Sequence, residues 1–355
     1  MCVRDAYYKE HTDREEVVCI IVFAVIVVLL AIIGLLLVGT VIFFENRNPE
    51  KTVAWLIILA VFPVIGFILY LVLGRNARKH KLFHHKYVGG QRLKRVVTAQ
   101  AQHLTENEVF CGEVDRKKRL VRLLLRNARA PLTANNRACV LTNGQEKFAA
   151  LFEAMRQAKH HIHLQYYIFK NDEIGHETHE ILRQKAREGV EVRVILDGLG
   201  SRQIPEDFLD SLRGAGAQVE MFFPLRFPFV TSKLNFRNHR KIVVVDGRVG
   251  FVGGMNIGDE YLSRDPQLGF WRDTHLQLEG DSVHMLQMTF LNDWYFISRQ
   301  TIEGREYYPI PHEHGQQLVQ VIASGPDSDW ESIRETFFTA LATAERKIYI
   351  ETPYF

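Results

Sequence analysis

The residues with the clearest chemical potential lie in one short stretch, Asn238–Asn256, which reads N-H-R-K-I-V-V-V-D-G-R-V-G-F-V-G-G-M-N. Asp246 and Gly247 separate two apolar runs and are a pair typical of a β-hairpin turn. Successive side chains of a strand point to opposite faces, so His239 and Lys241 share one face. A neutral imidazole can attack phosphorus, and an ammonium can neutralise the surrounding oxygens. The spacing therefore predicts phosphoryl chemistry without a metal.

Two residues of the return strand are expected to join that face. If the turn is centred on positions 246–247, His239 lies opposite Gly254; if it is centred on 247–248, His239 lies opposite Asn256. Both registers place Gly254 and Asn256 on the face of His239, where a glycine admits a phosphate and an amide adds a hydrogen bond. Asp246 has the opposite parity, and we interpret it as a turn residue and charge partner.

H-R-K-I-V-V-V-D followed by G-G-M-N resembles the H-x-K-x4-D...G-[GS]-x-N signature of the phospholipase D superfamily. The resemblance implies a phosphohistidine mechanism, with no cofactor, that uses two such motifs. It also implies the site residues, namely His239, Lys241 and Asp246 as the catalytic motif and Gly254 and Asn256 as phosphate support.

An acidic residue that orients the catalytic histidine lies downstream of the motif in the superfamily. Asp273 is the candidate in this sequence. The open alternative is a surface ion pair between Asp273 and Arg272 or Arg264. His161 and His163 share a strand face, and we interpret them as half-buried strand residues rather than metal ligands, because no cysteine or acidic partner accompanies them.

Two apolar runs, Val17–Phe44 and Val53–Leu73, dominate the N-terminal part and are each long enough to span a bilayer. Trp55 and Tyr70 lie near opposite ends of the second run, as interfacial aromatic residues do. Residues 74–90 contain five lysines and arginines and no acidic residue, which predicts a cytoplasmic catalytic domain. Buried core helices are the alternative for these runs.

The linker and second apolar run, E-K-T-V-A-W-L-I-I-L-A-V-F-P-V-I-G-F-I-L-Y-L-V-L-G, resemble the N-terminal membrane hairpin of bacterial cardiolipin synthases. This resemblance implies a multi-pass protein of the bacterial cell membrane whose substrate is phosphatidylglycerol. The basic stretch Arg116–Arg129 reads as an amphipathic helix. It could lie on an anionic membrane surface or pack against the catalytic domain, and the sequence leaves both open.

From Cys139 onward the hydrophobic pattern alternates between helices and strands, which predicts an α/β fold with a largely parallel sheet covered by helices. The predicted helices are 145–159, 176–188 and 205–213, and the predicted strands are 161–169, 190–197 and 217–223. An apolar-polar run at 271–280 and a helix through Ser298 follow the hairpin.

The segment Ala154–Phe169 matches Ala340–Phe355 at four of sixteen positions and shares its helix-then-strand pattern. Such self-similarity indicates a duplicated unit, whose second copy begins near Val319. The expected fold is a two-helix transmembrane hairpin followed by a phospholipase D-like duplicated α/β/α sandwich, of which only the first repeat is complete. A second H-x-K-x4-D motif does not occur in the 355 residues, which favours a fragment over a natural half-site.

The expected layout has five parts. They are a polar tail (1–16), two transmembrane helices (17–74), a basic juxtamembrane segment (75–135), a first catalytic repeat (136–318) and the start of a second (319–355).

Composition narrows the function further. A net charge of +3 gives no dominant basic surface for nucleic acid, and the four cysteines show no C-x-x-C pair or zinc-like spacing. The leading hypothesis is a phosphatidyltransferase that joins two phosphatidylglycerol molecules into cardiolipin. The alternatives are a hydrolase, a transferase for another head-group alcohol, and a catalytically silent membrane scaffold. The sequence does not indicate an oligomeric state.

Overall fold

The computed structural model describes residues 21–25, 28, 32–36, 38–39, 49–70, 97–100, 113–224, 237–310, 315–325 and 330–352. The chain divides into two compact units, residues 1–82 and residues 83–355.

In the first unit, Phe62 separates two helices, α1 (Pro49–Val61) and α2 (Pro63–Leu69). Phe62 has φ −133°, because the residue before a proline is pushed out of the α region. The two helices pack against each other, so that the rings of Trp55 and Tyr70 meet edge to face with centroids 5.4 Å apart. The predicted second run is thus interrupted at Phe62, and the prediction that Trp55 and Tyr70 lie near its opposite ends is wrong.

Most of the first apolar run, Val17–Phe44, lies outside the described residues, as does the predicted polar tail 1–16. The parts of the run that are described, 21–25, 28, 32–36 and 38–39, are helical. Within the described ranges, no helix combines the length and the apolar character needed to cross a membrane.

The second unit is built on a seven-stranded sheet in the order β1-β7-β6-β5-β2-β3-β4. Its strands are β1 (Asn136–Thr142), β2 (His161–Tyr166), β3 (Glu191–Asp197), β4 (Gln218–Phe222), β5 (Ile242–Val245), β6 (Val249–Gly253) and β7 (Thr274–Gly280). Its helices are α3 (Glu113–Asn127), α4 (Asn143–Arg156), α5 (Glu173–Arg187), α6 (Glu206–Gly214), α7 (Asp281–Ser298) and α8 (Ser332–Ala342).

Helices cover both faces of this sheet, which confirms the α/β class. Apolar residues of α4, α5 and α6 form one core with β2 and β3, and α7 forms a second core with β5 and β7 on the opposite face. Among the described strands of this sheet, only the pairings β2–β3 and β3–β4 are parallel. The prediction of a largely parallel sheet is wrong, because β5 and β6 follow each other through a short loop, which can join only antiparallel neighbours.

His161 and His163 are fully buried rather than half-buried as predicted, because helices cover both faces of β2. They point toward α7, where Gln287 contacts both rings. Among the described residues, no group of three or more histidine, cysteine or acidic side chains could hold a metal ion.

Helix α3 packs within the second unit. Val121, Leu124 and Leu125 are buried, and Gln320 donates to the carbonyl of Val121. The apolar stripe of this basic helix is therefore covered by protein, as the packing alternative predicts. Its basic residues Lys117 and Arg126 stay exposed.

Among the described residues of the predicted second repeat, the regular element is a helix. Helix α8 matches the predicted helix, but residues 343–352 form no strand, and none of the described strands pairs with them. A strand needs a hydrogen-bonded neighbour, so an apolar run alone does not make one.

Candidate active site

The predicted hairpin is present, but its register differs from both predictions. Strands β5 and β6 pair antiparallel with Ile242 opposite Val252 and Val245 opposite Val249. The loop between them is residues 246–248, in which Asp246 and Gly247 take the left-handed backbone conformation (φ 54° and 64°). A three-residue loop shifts the pairing by one residue from each of the predicted registers.

This register changes how the site residues come together. His239 and Lys241 precede β5, while Gly254 and Asn256 follow β6, so all four lie just beyond the paired strands. Strand parity therefore does not place them on one face, and the prediction that it does is wrong. Contacts with neighbouring loops and helices set their positions instead.

His239 is accessible to solvent and stacks on the ring of Tyr167, with centroids 3.8 Å apart and planes 20° apart. Partial burial lowers the pKa of His239 below its usual value, and the charge of Lys241 acts in the same direction. The carboxylate of Asp197 acts in the opposite direction. The imidazole is thus held mainly neutral near pH 7, which is the form that can act as a nucleophile.

Lys241 lies beside His239. Its Nζ donates to the His239 carbonyl at 2.8 Å and lies 5.5 Å from the centre of the Tyr167 ring. Burial lowers the pKa of Lys241, and the charge of Asp273 opposes this effect. The carboxylate that acts on Lys241 is therefore Asp273, whereas the one that acts on His239 is Asp197.

The carboxylate of Asp273 accepts a hydrogen bond from the Thr274 N–H at 2.7 Å and lies 3.4 Å from the indole nitrogen of Trp271. In the described part of the chain, Arg264 pairs with other acidic residues and Arg272 donates to the Asp273 main-chain carbonyl, not to its carboxylate. The orientation of His239 by Asp273 stays a prediction.

Gly254 packs directly against this carboxylate. A Cβ at position 254 would lie 2.3 Å from Oδ1 of Asp273, a separation that no side chain can adopt without displacing the acid. Because Gly254 has no side chain, the Asp273 carboxylate can lie in this position, and its charge acts on Lys241 from there.

Asn256 is buried, and its side chain is used within the fold. Its Oδ1 accepts from the Ile168 N–H at 3.1 Å, and its Nδ2 donates to the Tyr261 hydroxyl at 2.7 Å. Its carbonyl accepts from Nζ of Lys147 at 3.2 Å. The bond from Ile168 ties the chain after β6 to the segment that follows β2, and the bond from Lys147 ties it to α4.

Asp246 lies beyond the end of β5 remote from His239. Its carboxylate accepts three main-chain hydrogen bonds at 2.8–2.9 Å, from the N–H groups of Lys159, His160 and His161. These are the residues that lead into β2, so Asp246 fastens the hairpin turn to the entry of the central strand.

A cavity of about 360 Å³ opens beside His239 and Lys241. Its apolar walls come from the sheet, from α7, from the segment before α8 and from the first turn of α8. They include Ile242, Val252, Leu286, Val321, Ile322 and Ile333. Such a cavity suits the apolar part of a ligand whose polar group lies at the two basic residues.

Two family models match the chain. Residues 151–294 match the family described as cardiolipin synthase, PLD-like domain, and residues 20–75 match the phospholipase D-nuclease N-terminal family. The major cardiolipin synthase ClsA of Bacillus subtilis (strain 168) is 41% identical over 339 residues, which are 94% of this chain and 70% of that protein. The chain belongs to the cardiolipin synthase family.

Other members of the cardiolipin synthase family are similar to the same degree. The cardiolipin synthase of Halalkalibacterium halodurans is 45% identical over 325 residues, which are 91% of this chain and 64% of that protein. The chain thus spans about two thirds of the length of such relatives. Among solved structures, phosphatidylserine synthase from Haemophilus influenzae aligns with a TM-score of 0.39 at 15% identity, over 57% of this chain and 51% of that one.

Sequence reasoning missed two buried residues of this cardiolipin synthase family member. Lys147 is fully buried on α4, and burial lowers its pKa well below the usual value, against the charge of Asp273. His275 is fully buried on β7, and neither of its ring nitrogens has a hydrogen-bond partner among the described residues. Burial, together with the charges of Lys147 and Lys241, lowers the pKa of His275 to about 2.

A sequence signal existed for one of them. Lys147 occupies the apolar stripe of α4, in line with the buried residues Phe148, Leu151 and Met155. A lysine in such a stripe is almost never fully buried without a compensating partner. Here its Nζ donates to the Asn256 carbonyl, and the charge of Asp273 favours the ammonium. His275 gave no comparable signal, because a strand histidine is compatible with either face.

Proposed function

We propose that this protein is a cardiolipin synthase that transfers a phosphatidyl group between two phosphatidylglycerol molecules through a phosphohistidine. The observation that carries the proposal is a mainly neutral His239 next to the cation of Lys241, within the stretch that matches the cardiolipin synthase family. The identity to proteins named cardiolipin synthase supports the choice of lipid.

In the first step, an imidazole nitrogen of His239 forms a bond to the phosphorus of one phosphatidylglycerol. The P–O bond to the terminal glycerol breaks, and the glycerol oxygen takes up a proton. The resemblance to the phospholipase D superfamily assigns that proton to the histidine of a second motif. In the second step, the histidine of the second motif, now neutral, takes the proton from a hydroxyl of another phosphatidylglycerol. The oxygen attacks the same phosphorus, and the P–N bond to His239 breaks. The products are cardiolipin and glycerol.

Lys241 would stabilise the negative charge that builds up on the phosphoryl oxygens. Its ammonium is held beside His239, and Asp273 favours its charged form. Gly254 would keep Asp273 in place, and Asn256 would hold the chain after β6 through its bonds to Ile168 and Tyr261. Asp246 would act at a distance, by fixing the hairpin to β2.

We infer that the apolar runs 17–44 and 53–73 hold the protein in the bacterial cell membrane, the second run as two helices divided at Phe62, with the catalytic unit on the cytoplasmic side. The basic residues at 75–86 support this orientation, and the N-terminal family match over residues 20–75 supports a common N-terminal module. In intact spheroplasts, added protease should leave residues 136–318 uncut, and cleavage from outside would contradict the orientation.

The experiment that tests the function uses the full-length protein in vesicles that contain acyl-labelled phosphatidylglycerol. Label should appear in cardiolipin, with free glycerol in the aqueous phase, and the His239→Ala variant should form neither. Phosphatidic acid without cardiolipin would indicate a hydrolase. No conversion by the wild type would indicate a silent scaffold. Either result would contradict the proposed function.

A further inference from the structure

Asp293 is a buried acid on α7 whose side chain is only 1% exposed. It lies on the face of α7 that packs against the sheet, next to the buried Phe290 and Trp294. A carboxylate in such a place is costly unless several donors surround it. The donors that bond to the Asp293 carboxylate therefore indicate which part of the structure this buried acid stabilises.

Three side chains donate to the Asp293 carboxylate. Gln165 on β2 donates at 2.7 Å, and Asn238 donates at 3.1 Å. Arg240 forms an ion pair with the same carboxylate. Two of these donors, Asn238 and Arg240, are the immediate neighbours of His239 on either side. The third lies two residues before Tyr167, the ring on which His239 stacks.

The same short segment is closed by two further hydrogen bonds. The Asn238 N–H donates to Oδ2 of Asp197 at 2.9 Å, and Oδ1 of Asn238 accepts from the Arg240 N–H at 3.1 Å. His239 lies outside the β5 ladder, so strand pairing does not fix its backbone. The hydrogen bonds of Asn238 and Arg240 hold the backbone of His239 in place instead.

We propose that Asp293 is a positioning residue for the phosphoryl transfer, because its carboxylate holds both neighbours of His239 and so fixes where the imidazole points. This inference rests on the proposed function. Asp293 does not touch the reacting atoms. Its effect should therefore fall on the rate of the chemical step and not on lipid binding, since a misplacement of about 1 Å can cost on the order of 100-fold in rate.

The test compares Asp293→Asn with Gln287→Met in the full-length protein. Asparagine keeps the size of the side chain but removes its negative charge. It also replaces one carboxylate oxygen by an NH₂ group, which cannot accept the hydrogen bonds from Asn238 and Arg240. Gln287 is the matched control, because it is fully buried on the same helix but contacts His161 and His163 rather than the segment around His239.

For Asp293→Asn we expect kcat for cardiolipin formation to fall about 100-fold, with KM within about twofold of the wild type. Hydrogen exchange at the amides of residues 238–240 should become faster. Gln287→Met should keep kcat within about threefold and leave that exchange unchanged. Equal losses in both variants, or unchanged kcat or unchanged exchange in Asp293→Asn, would overturn the proposal.

If Asp293→Asn does not fold, Arg240→Met removes the same ion pair from its more exposed partner, whose side chain is 22% exposed. It should lower kcat about tenfold and also speed exchange at residue 238, and wild-type values for both would overturn the proposal. A wild type that makes no cardiolipin would contradict the proposed function. The exchange measurement would then decide separately whether Asp293 holds the segment around His239.

Discussion

The ring of Tyr167 lies parallel to the imidazole of His239, with centroids 3.8 Å apart. Tyr167 follows directly after β2, while His239 precedes β5, the antiparallel neighbour of β2. The stack therefore connects two adjacent interior strands where β2 ends and β5 begins. It limits rotation of the imidazole and leaves the ring accessible to a substrate.

Replacing Tyr167 tests whether the stack contributes to catalysis. Tyr167→Phe keeps the ring and should retain kcat within about twofold. Tyr167→Leu removes an aromatic contact that is typically worth about 0.5–1.5 kcal/mol, so kcat should fall about three- to tenfold. Steady-state assays of cardiolipin formation by the two variants provide the measurement. Equal activity of both variants would show that the stack has no catalytic role.

The pH dependence of the reaction should reflect the lowered pKa of His239. The neutral imidazole is the active form, and its pKa in the folded protein lies below the usual value of 6.5. Activity should therefore persist as the pH falls to 6.5 and decline only below it. The measurement is the pH profile of kcat/KM, which reports the groups of the free enzyme. An acid limb with its midpoint above 6.5 would contradict this account.

Gly254→Ala should displace Asp273, because the added Cβ would lie 2.3 Å from its Oδ1. The shift would remove the charge that supports Lys241, and we expect kcat/KM to fall about ten- to hundredfold. Gly214→Ala is the matched control, since nothing lies within 4 Å of a Cβ there. The control should keep full activity and gain slightly in thermal stability, as alanine favours a helix. Equal activity of the two variants would show that Gly254 has no special role.

Asp246→Asn separates a structural role from a catalytic one. The variant weakens the bonds to the N–H groups of Lys159, His160 and His161, and we expect the free energy of unfolding to drop by about 1–3 kcal/mol. Asparagine tolerates the left-handed backbone at this position. The kcat of the folded variant should stay within about threefold of the wild type. A large loss of kcat with unchanged thermal stability would place Asp246 in the chemistry.

Much of this architecture was predictable because it follows from local patterns. The helices α4 to α7 and the strands β2, β3 and β4 fall within a few residues of the predicted ranges. The hairpin at Asp246 was predictable too, since an Asp-Gly pair between two β-branched runs is a strong signal for a tight hairpin turn. The β5–β6 register was not, because a loop of two or three residues fits the same sequence.

The contacts that complete the site depend on residues far apart in the chain. Asp197 and Asp293 bond to the segment around His239 from positions 41 and 55 residues away from Asn238. Lys147 is joined to Asn256 across 109 residues. No local pattern indicates such pairs. Strand parity was a poor guide for the same reason, since the site residues lie beyond the ladder, where tertiary contacts decide their positions.

The central claim is that His239 carries the phosphatidyl group during turnover. The most direct measurement is a rapid alkaline quench of the full-length protein during turnover of phosphatidylglycerol labelled with ³²P, followed by peptide mapping. The account predicts label on the peptide that contains His239 in the wild type, and none in His239→Ala, which should still fractionate with membranes. Label bound to protein at equal levels in His239→Ala, or cardiolipin formation by that variant, would contradict it.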